Sequence, residues 1–163
     1  MCNFLVTYKL FMQKDIQHIW FFQHPPDRVW EFLTKQELLE KWLMENDFKP
    51  IVGHRFQFNT KPKVKFGFDG IVYCEVLEVV PFQKLSYSWK GGPGKGKIVL
   101  DSIVTWTLTP KDNGTELILD HKGFAGWKNF IAYMVMNSGW KIHVKKRLDN
   151  LINNTNAHKS TGI

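Results

Sequence analysis

Cysteine is almost missing from this chain: Cys2 and Cys74 are the only two in 163 residues. Two thiols cannot build the disulfide framework of a small secreted domain, so the fold has to stand on burial alone. A single domain of this length buries roughly 70% of its unfolded surface, which is enough. Arginine is nearly as scarce, at Arg28, Arg55 and Arg147. The formal charge of +7 is therefore carried mostly by scattered lysines, not by the clustered guanidinium groups that read bases or grip phosphates with two bonds. That argues against nucleic acid, and it leaves an acidic membrane surface as the other partner class a basic chain raises. No apolar run is long enough to span a bilayer. The six histidines, at 18, 24, 54, 121, 143 and 158, include no HxxxH pair, and no CxxC occurs, so neither a metal nor a cofactor is expected. No GxSxG is present for nucleophilic catalysis.

Aromatic residues, by contrast, are abundant, at 15% of the chain with seven Trp and thirteen Phe. Residues 15–24 alternate with period two, and we assign Ile16, His18, Trp20 and Phe22 to the inward face. Pro25 and Pro26 end that strand, and Pro26 suits the first turn of a short helix carrying Val29, Phe32 and Leu33. Thr34 with Glu37 has the spacing of a capping box, which would open a second short helix through Trp42. Phe56 and Phe58 share one face of the next strand. A Pro- and Lys-containing turn follows at 61–65, then strands over 68–80, 85–90, 98–109 and 117–121, with a hairpin signal at Asn113-Gly114. On these strands Tyr87, Trp89, Trp106 and His121 point inward.

The stretch 123–153 has the length and apolar spacing of one long terminal helix, roughly 40 Å if straight. Trp127, Phe130, Ile131 and Met134 form one run, and Trp140, Val144, Leu148, Leu151 and Ile152 form a second, slightly out of phase. A bend is expected between them at Ser138-Gly139. The fold class is thus α+β: a curved antiparallel six-stranded sheet with two short helices after the first strand and a long helix at the end. The domain spans 14–153, preceded by an extension over 1–13 and followed by a polar, frayed tail over 154–163. Residues 1–11 lack the basic start and cleavage site of a signal peptide and read as a leader or an extra edge strand, so the location is expected to be cytoplasmic.

Gly91, Gly96 and Lys97 have the GxxxxGK spacing of a phosphate-binding loop. Ile98 follows where a hydroxyl is needed, and a strand follows where a helix is needed, so the segment is a hairpin loop. The interior aromatic set comprises Trp20, Phe22, Phe56, Phe58, Tyr87, Trp89, Trp106, Phe124, Trp127 and Phe130, with His121 among them. It either fills a core or lines a cavity.

Five stretches in order, HPPDRVWEFLT, EKWLMENDF, GIVYCEVLEVVPFQKLSYSW, VTWTLTPKDNGTELILDHKGF and GWKIHVKKRLDNL, are similar to the START-like (SRPBCC, birch-pollen-allergen-like) superfamily. Within it they resemble the branch named for homologues of the activator of heat-shock protein 90 ATPase. The resemblance implies a helix-grip fold with a hydrophobic cavity between sheet and terminal helix. It also implies a small apolar or amphipathic ligand of lipid, sterol or polyketide type. On our own reading of the residues, His121, Tyr87 and Ser102 would orient that ligand. Two other roles found in the superfamily stand beside this one: a cyclase or dehydratase with His121 as acid or base, and a co-chaperone that contacts the chaperone ATPase.

Overall fold

The structure is a computed structural model and describes residues 13–157. Residues 1–11, expected to be a leader or an extra edge strand, and the end of the polar tail lie outside the described residues. Among the described residues seven strands form one antiparallel sheet: β1 (Gln13–Phe22), β2 (Glu45–Asn46), β3 (Arg55–Asn59), β4 (Ile71–Val80), β5 (Lys84–Gly91), β6 (Leu100–Lys111) and β7 (Gly114–Ala125). Their spatial order is β1-β7-β6-β5-β4-β3-β2. This is one strand more than the six expected. The addition is the two-residue β2, whose Glu45 and Asn46 pair with Asn59 and Phe58 and which is too short to show a period in the sequence.

Between β1 and β2 lie α1 (Pro26–Thr34) and α2 (Gln36–Trp42). Pro25 caps α1 in an extended conformation and Pro26 takes its first turn, where a missing N–H costs nothing. The helix buries Val29, Trp30, Phe32 and Leu33. The expected capping box does not form. Lys35 is the residue before α2 and no side chain caps that helix, because the Thr34 hydroxyl donates back to the Trp30 carbonyl at 2.7 Å as the last residue of α1. The two helices are joined instead by the Trp42 indole N–H, which donates to the Phe32 carbonyl at 2.8 Å.

The hairpin signal is displaced by one residue. Asp112 and Asn113 both have positive φ, the pattern of a tight two-residue turn, and Gly114 already pairs with Lys111 in the ladder. Gly114 is needed for space: a Cβ there would fall on the Phe22 carbonyl oxygen and the Phe21 ring. Gly114→Ala is expected to cost about 2 kcal/mol and to lower Tm by about 5 °C in calorimetry.

The chain then crosses the concave face as a terminal helix. After a short 3₁₀ turn (Trp127–Asn129) come α3 (Phe130–Ile142), a π-helical segment (His143–Leu148) and α4 (Asp149–Ala157). The helix starts later than expected because β7 runs on through Ala125, and it continues past Asn153. It also passes Ser138 and Gly139 without a break. The phase problem is solved by the π-helical segment. Trp140, Val144, Leu148 and Ile152, all buried, are spaced by four each time. At 3.6 residues per turn each such step drifts about 40° round an α-helix, so three steps would carry Ile152 off the sheet-facing side. The wider π turn winds back part of that drift, keeping one stripe on the sheet.

Candidate ligand site

Period-two alternation aims every second residue of the sheet into its concavity, and there the rings meet. Trp140 of the terminal helix inserts between Trp89 and Trp106, with ring centroids 5.2 and 5.5 Å apart. Trp106 packs edge-on to Trp42 at 6.1 Å. Phe58 meets Trp89 at 5.5 Å and Phe56 at 5.3 Å, and Phe56 meets Phe48 at 5.0 Å. Edge and tilted contacts of this kind each add about 0.5–1.5 kcal/mol beyond burial. A cavity was expected between sheet and terminal helix. The structure fills it with indole and phenyl rings, the filled core that stood as the alternative.

A buried polar chain runs through the same cluster. The Trp140 indole N–H donates to His121 Nδ1 at 3.0 Å, so the imidazole proton sits on Nε2. Nε2 is 2.8 Å from Ser102 Oγ and donates to it, and the Ser102 hydroxyl in turn donates to the Trp89 carbonyl at 2.8 Å. Every donor and acceptor in the chain is matched, as a dry interior demands. Burial pushes the His121 pKa down to about 3, because charging the ring there would mean solvating it with nothing. His121 therefore has neither a free lone pair nor an exposed proton to offer a substrate. Tyr87 is similarly occupied: its oxygen accepts the Trp106 N–H at 3.0 Å and burial drives its pKa up. The Cys74 thiol is buried and likewise pushed up by desolvation.

Of the residues singled out from sequence, Phe22, Phe56, Phe58, Tyr87, Trp89, Trp106, His121 and Phe124 are buried, and Trp20 is half-buried against the core. Ser102 is buried as well. Two are corrected. Trp127 is 74% exposed and Phe130 45%, so neither faces the interior. Ile131 and Met134 of the same run also point outward. The reason is phase: the face of α3 toward the sheet is set by Trp140, and counting back from it gives Asn137, Met136 and Tyr133, not Phe130, Ile131 and Met134. Met136 and Tyr133 pack partly buried on the core, and Asn137 bonds His18 Nε2 at 2.8 Å. Extending the second apolar run backward in the sequence would have found all three.

The grip thus has a closed part and a looser part. From Trp140 onward the helix seals against sheet and short helices. Before it, the apolar cover on the core comes from half-buried Ala132, Tyr133 and Met136. Tyr133 rests on Phe124 at 5.7 Å, and Lys14 Nζ lies 4.6 Å over the Phe130 ring. Strand pairing brings the start of β1 and β6 and the ends of β3, β5 and β7 to this same edge of the sheet. The loops 60–70 and 92–99 meet there, with Asp69 N donating to the Gly92 carbonyl at 2.9 Å. A concavity of about 290 Å³ lies between these loops, lined by Pro62, Val64, Gly67, Phe68, Asp69 and Pro93. A larger one of about 630 Å³, lined by residues including Pro26, Phe82, Leu108 and Pro110, is a solvent-open groove at the opposite end of the sheet. Among the described residues no group of three or more His, Cys, Asp or Glu is placed to hold a metal ion.

A curved antiparallel sheet closed on a long terminal helix defines a helix-grip domain of the START-like, or SRPBCC, class. The family model described as "Activator of Hsp90 ATPase homolog 1-like protein" matches residues 23–153, and the chain belongs to that family. Among solved structures it is similar to protein MLL2253 from Mesorhizobium loti, at 37% identity and TM-score 0.76, covering 87% of this chain and 98% of that one. It is also similar to protein BH1534 from Bacillus halodurans, at 29% identity and TM-score 0.63, over 82% and 93%. The Aha1 dimer from Colwellia psychrerythraea shares the fold at 18% identity and TM-score 0.62, over 80% and 90%. No protein among curated sequences matches.

Proposed function

We propose that the domain binds a small hydrophobic or amphipathic molecule, of lipid, sterol or polyketide type, in the seam at the looser end of the grip. The carrying observation is the change along the terminal helix: Trp140, Val144, Leu148 and Ile152 are buried, while the turns before them pack on the core through half-buried Ala132, Tyr133 and Met136 and reach β1 through the Asn137–His18 bond. A side chain held by few contacts yields to a guest at little cost, whereas the interlocked indoles do not. Phe124, Tyr133, Met136 and Phe68 then line the site, and the aromatic cluster lies behind them. Burial at about 25 cal/mol per Å² of apolar surface supplies affinity. His121 and Ser102 act behind the wall, holding Trp89 and Trp140 in place. The buried free Cys74 fits a reducing, cytoplasmic setting.

Native mass spectrometry of protein purified from cells, followed by thermal shifts against fatty acids, sterols and polyphenols, tests this reading. The expected result is a co-purifying small molecule and a Tm that rises with ligand concentration. Met136→Trp, which fills the seam, is expected to abolish the shift while leaving the free protein's Tm within a few degrees. No bound mass and no shift with any of these ligands would end the proposal. Contact with a chaperone, suggested by the family's description, is the second reading. Co-purification with the chaperone ATPase, and a change in its turnover, would favour it.

A further inference from the structure

The end of the sheet that carries the seam also carries a group of exposed apolar side chains. Val64 and Phe66, in the 60–70 loop, are 81% and 63% exposed, and Ile98 and Val99 in the 92–99 loop are exposed too. Trp127 and Ile131 add a third apolar tip where β7 turns into the terminal helix. The three come from segments far apart in the chain, and strand register alone places them on one edge. Lys61, Lys63 and Lys65 alternate with Pro62, Val64 and Phe66 in the first loop, and Lys95 and Lys97 precede Ile98 and Val99 in the second. Among the described residues the ion pairs involve other groups, and none of these five lysines takes part. The nearby carboxylates are mostly engaged. Asp69 accepts the Ile71 amide at 3.1 Å, Asp101 is held by Lys90 at 3.3 Å, and Asp15 stands exposed on β1.

We infer that this edge docks on an anionic lipid surface, with Val64, Phe66, Ile98 and Trp127 entering the headgroup layer and the five lysines lying over acidic headgroups. Charge decides the occupant. An apolar patch meant for a second copy of this chain would bring two lysine-rich edges together, and that contact is repulsive, whereas an acidic bilayer neutralises the lysines and solvates the side chains between them. Trp at a membrane boundary is stable because its ring is apolar and its N–H remains wet. Such docking is peripheral and reversible: no helix of the described residues is long and apolar enough to cross a membrane. The inference does not require the seam to hold a ligand.

Sedimentation of the full chain with vesicles of phosphatidylcholine alone, and of phosphatidylcholine with phosphatidylglycerol, tests it at low and high salt. The expected result is at least tenfold tighter binding to the acidic vesicles, weakened by salt. A lysine near such a surface contributes about a fivefold factor, so Lys63→Glu, Lys65→Glu, Lys95→Glu and Lys97→Glu combined should reduce binding at least a hundredfold. Phe66→Ser with Trp127→Ser should reduce it on acidic vesicles without changing its salt dependence. All six positions are on the surface, and an unchanged Tm confirms that the variants fold. Equal binding to both vesicle types, no binding to either, or full binding by the charge-reversed chain would overturn the inference. A concentration-dependent dimer that the same variants dissociate, without vesicle binding, would overturn it in favour of a second copy.

Discussion

Trp140→Ala is expected to be the most damaging single substitution in the protein, with a loss of at least 4 kcal/mol in urea unfolding at neutral pH. Three costs add. The indole leaves a cavity among Trp89, Trp106 and His121, whose ring centroids lie 5.2, 5.5 and 6.0 Å from its own, and a large-to-small change in a packed core of this kind costs about 3–5 kcal/mol. The edge and tilted aromatic contacts go with it. His121 Nδ1 also loses its donor and is left buried without a partner, at about 1–3 kcal/mol. Trp140→Phe separates the terms. It keeps most of the volume and removes only the N–H, so its loss should fall near the last figure alone. If the alanine variant unfolds within 1 kcal/mol of the parent, the cluster is not the packed centre described.

The second large effect is a loss of stability in mild acid that belongs to His121. In the unfolded chain the imidazole titrates near its reference value of about 6.5; in the fold burial holds it down to about 3. The native state thus refuses a proton that the unfolded state accepts. The contribution is fully present above about pH 6.5 and is lost as pH falls toward the folded value, because ever more of the unfolded ensemble is protonated. Between pH 6.5 and 4 the loss amounts to about 3 kcal/mol. His143, half-buried and also shifted down by desolvation, adds a change of the same sign, so the comparison must be made with a variant at position 121. His121→Gln can accept from Trp140 and donate to Ser102 without titrating. Its stability difference between about pH 7 and pH 4 should be smaller than the parent's by about that amount. An identical pH dependence in the two proteins would mean that His121 takes up its proton in the fold.

Much of this architecture is legible in the sequence, for a reason that particular strands make plain. Where one face is buried and the other wet, period two leaves no freedom: Phe56 with Phe58 and Val104 with Trp106 could only point one way. The Pro pair at 25–26 marks the turn into α1 equally firmly. What escaped is whatever depends on more than one element. The π-helical segment arises because the stripe of Trp140, Val144, Leu148 and Ile152 has to match a curved sheet, and no local propensity announces that. Trp127, Phe130, Ile131 and Met134 look like a core stripe because apolar spacing alone cannot distinguish a face turned to the sheet from one turned to a partner or a lipid surface. The capping box failed because Thr34 served the helix before it. The site followed the same pattern. His121 and Ser102 were picked out one by one, but only the structure joins them to Trp140 and shows a spent hydrogen-bond chain where a reactive group was one alternative.

The proposed guest should enter at the looser end of the grip and leave the indole cluster intact. Two-dimensional amide and indole N–H spectra during titration with a medium-chain fatty acid test this most directly, since the seven tryptophans give each region its own signal. The account predicts shifts at Phe68, Phe124, Tyr133 and Met136, with the indole signals of Trp42, Trp106 and Trp140 unmoved. Large shifts of those three indoles with a silent seam would place the ligand within the core and contradict it.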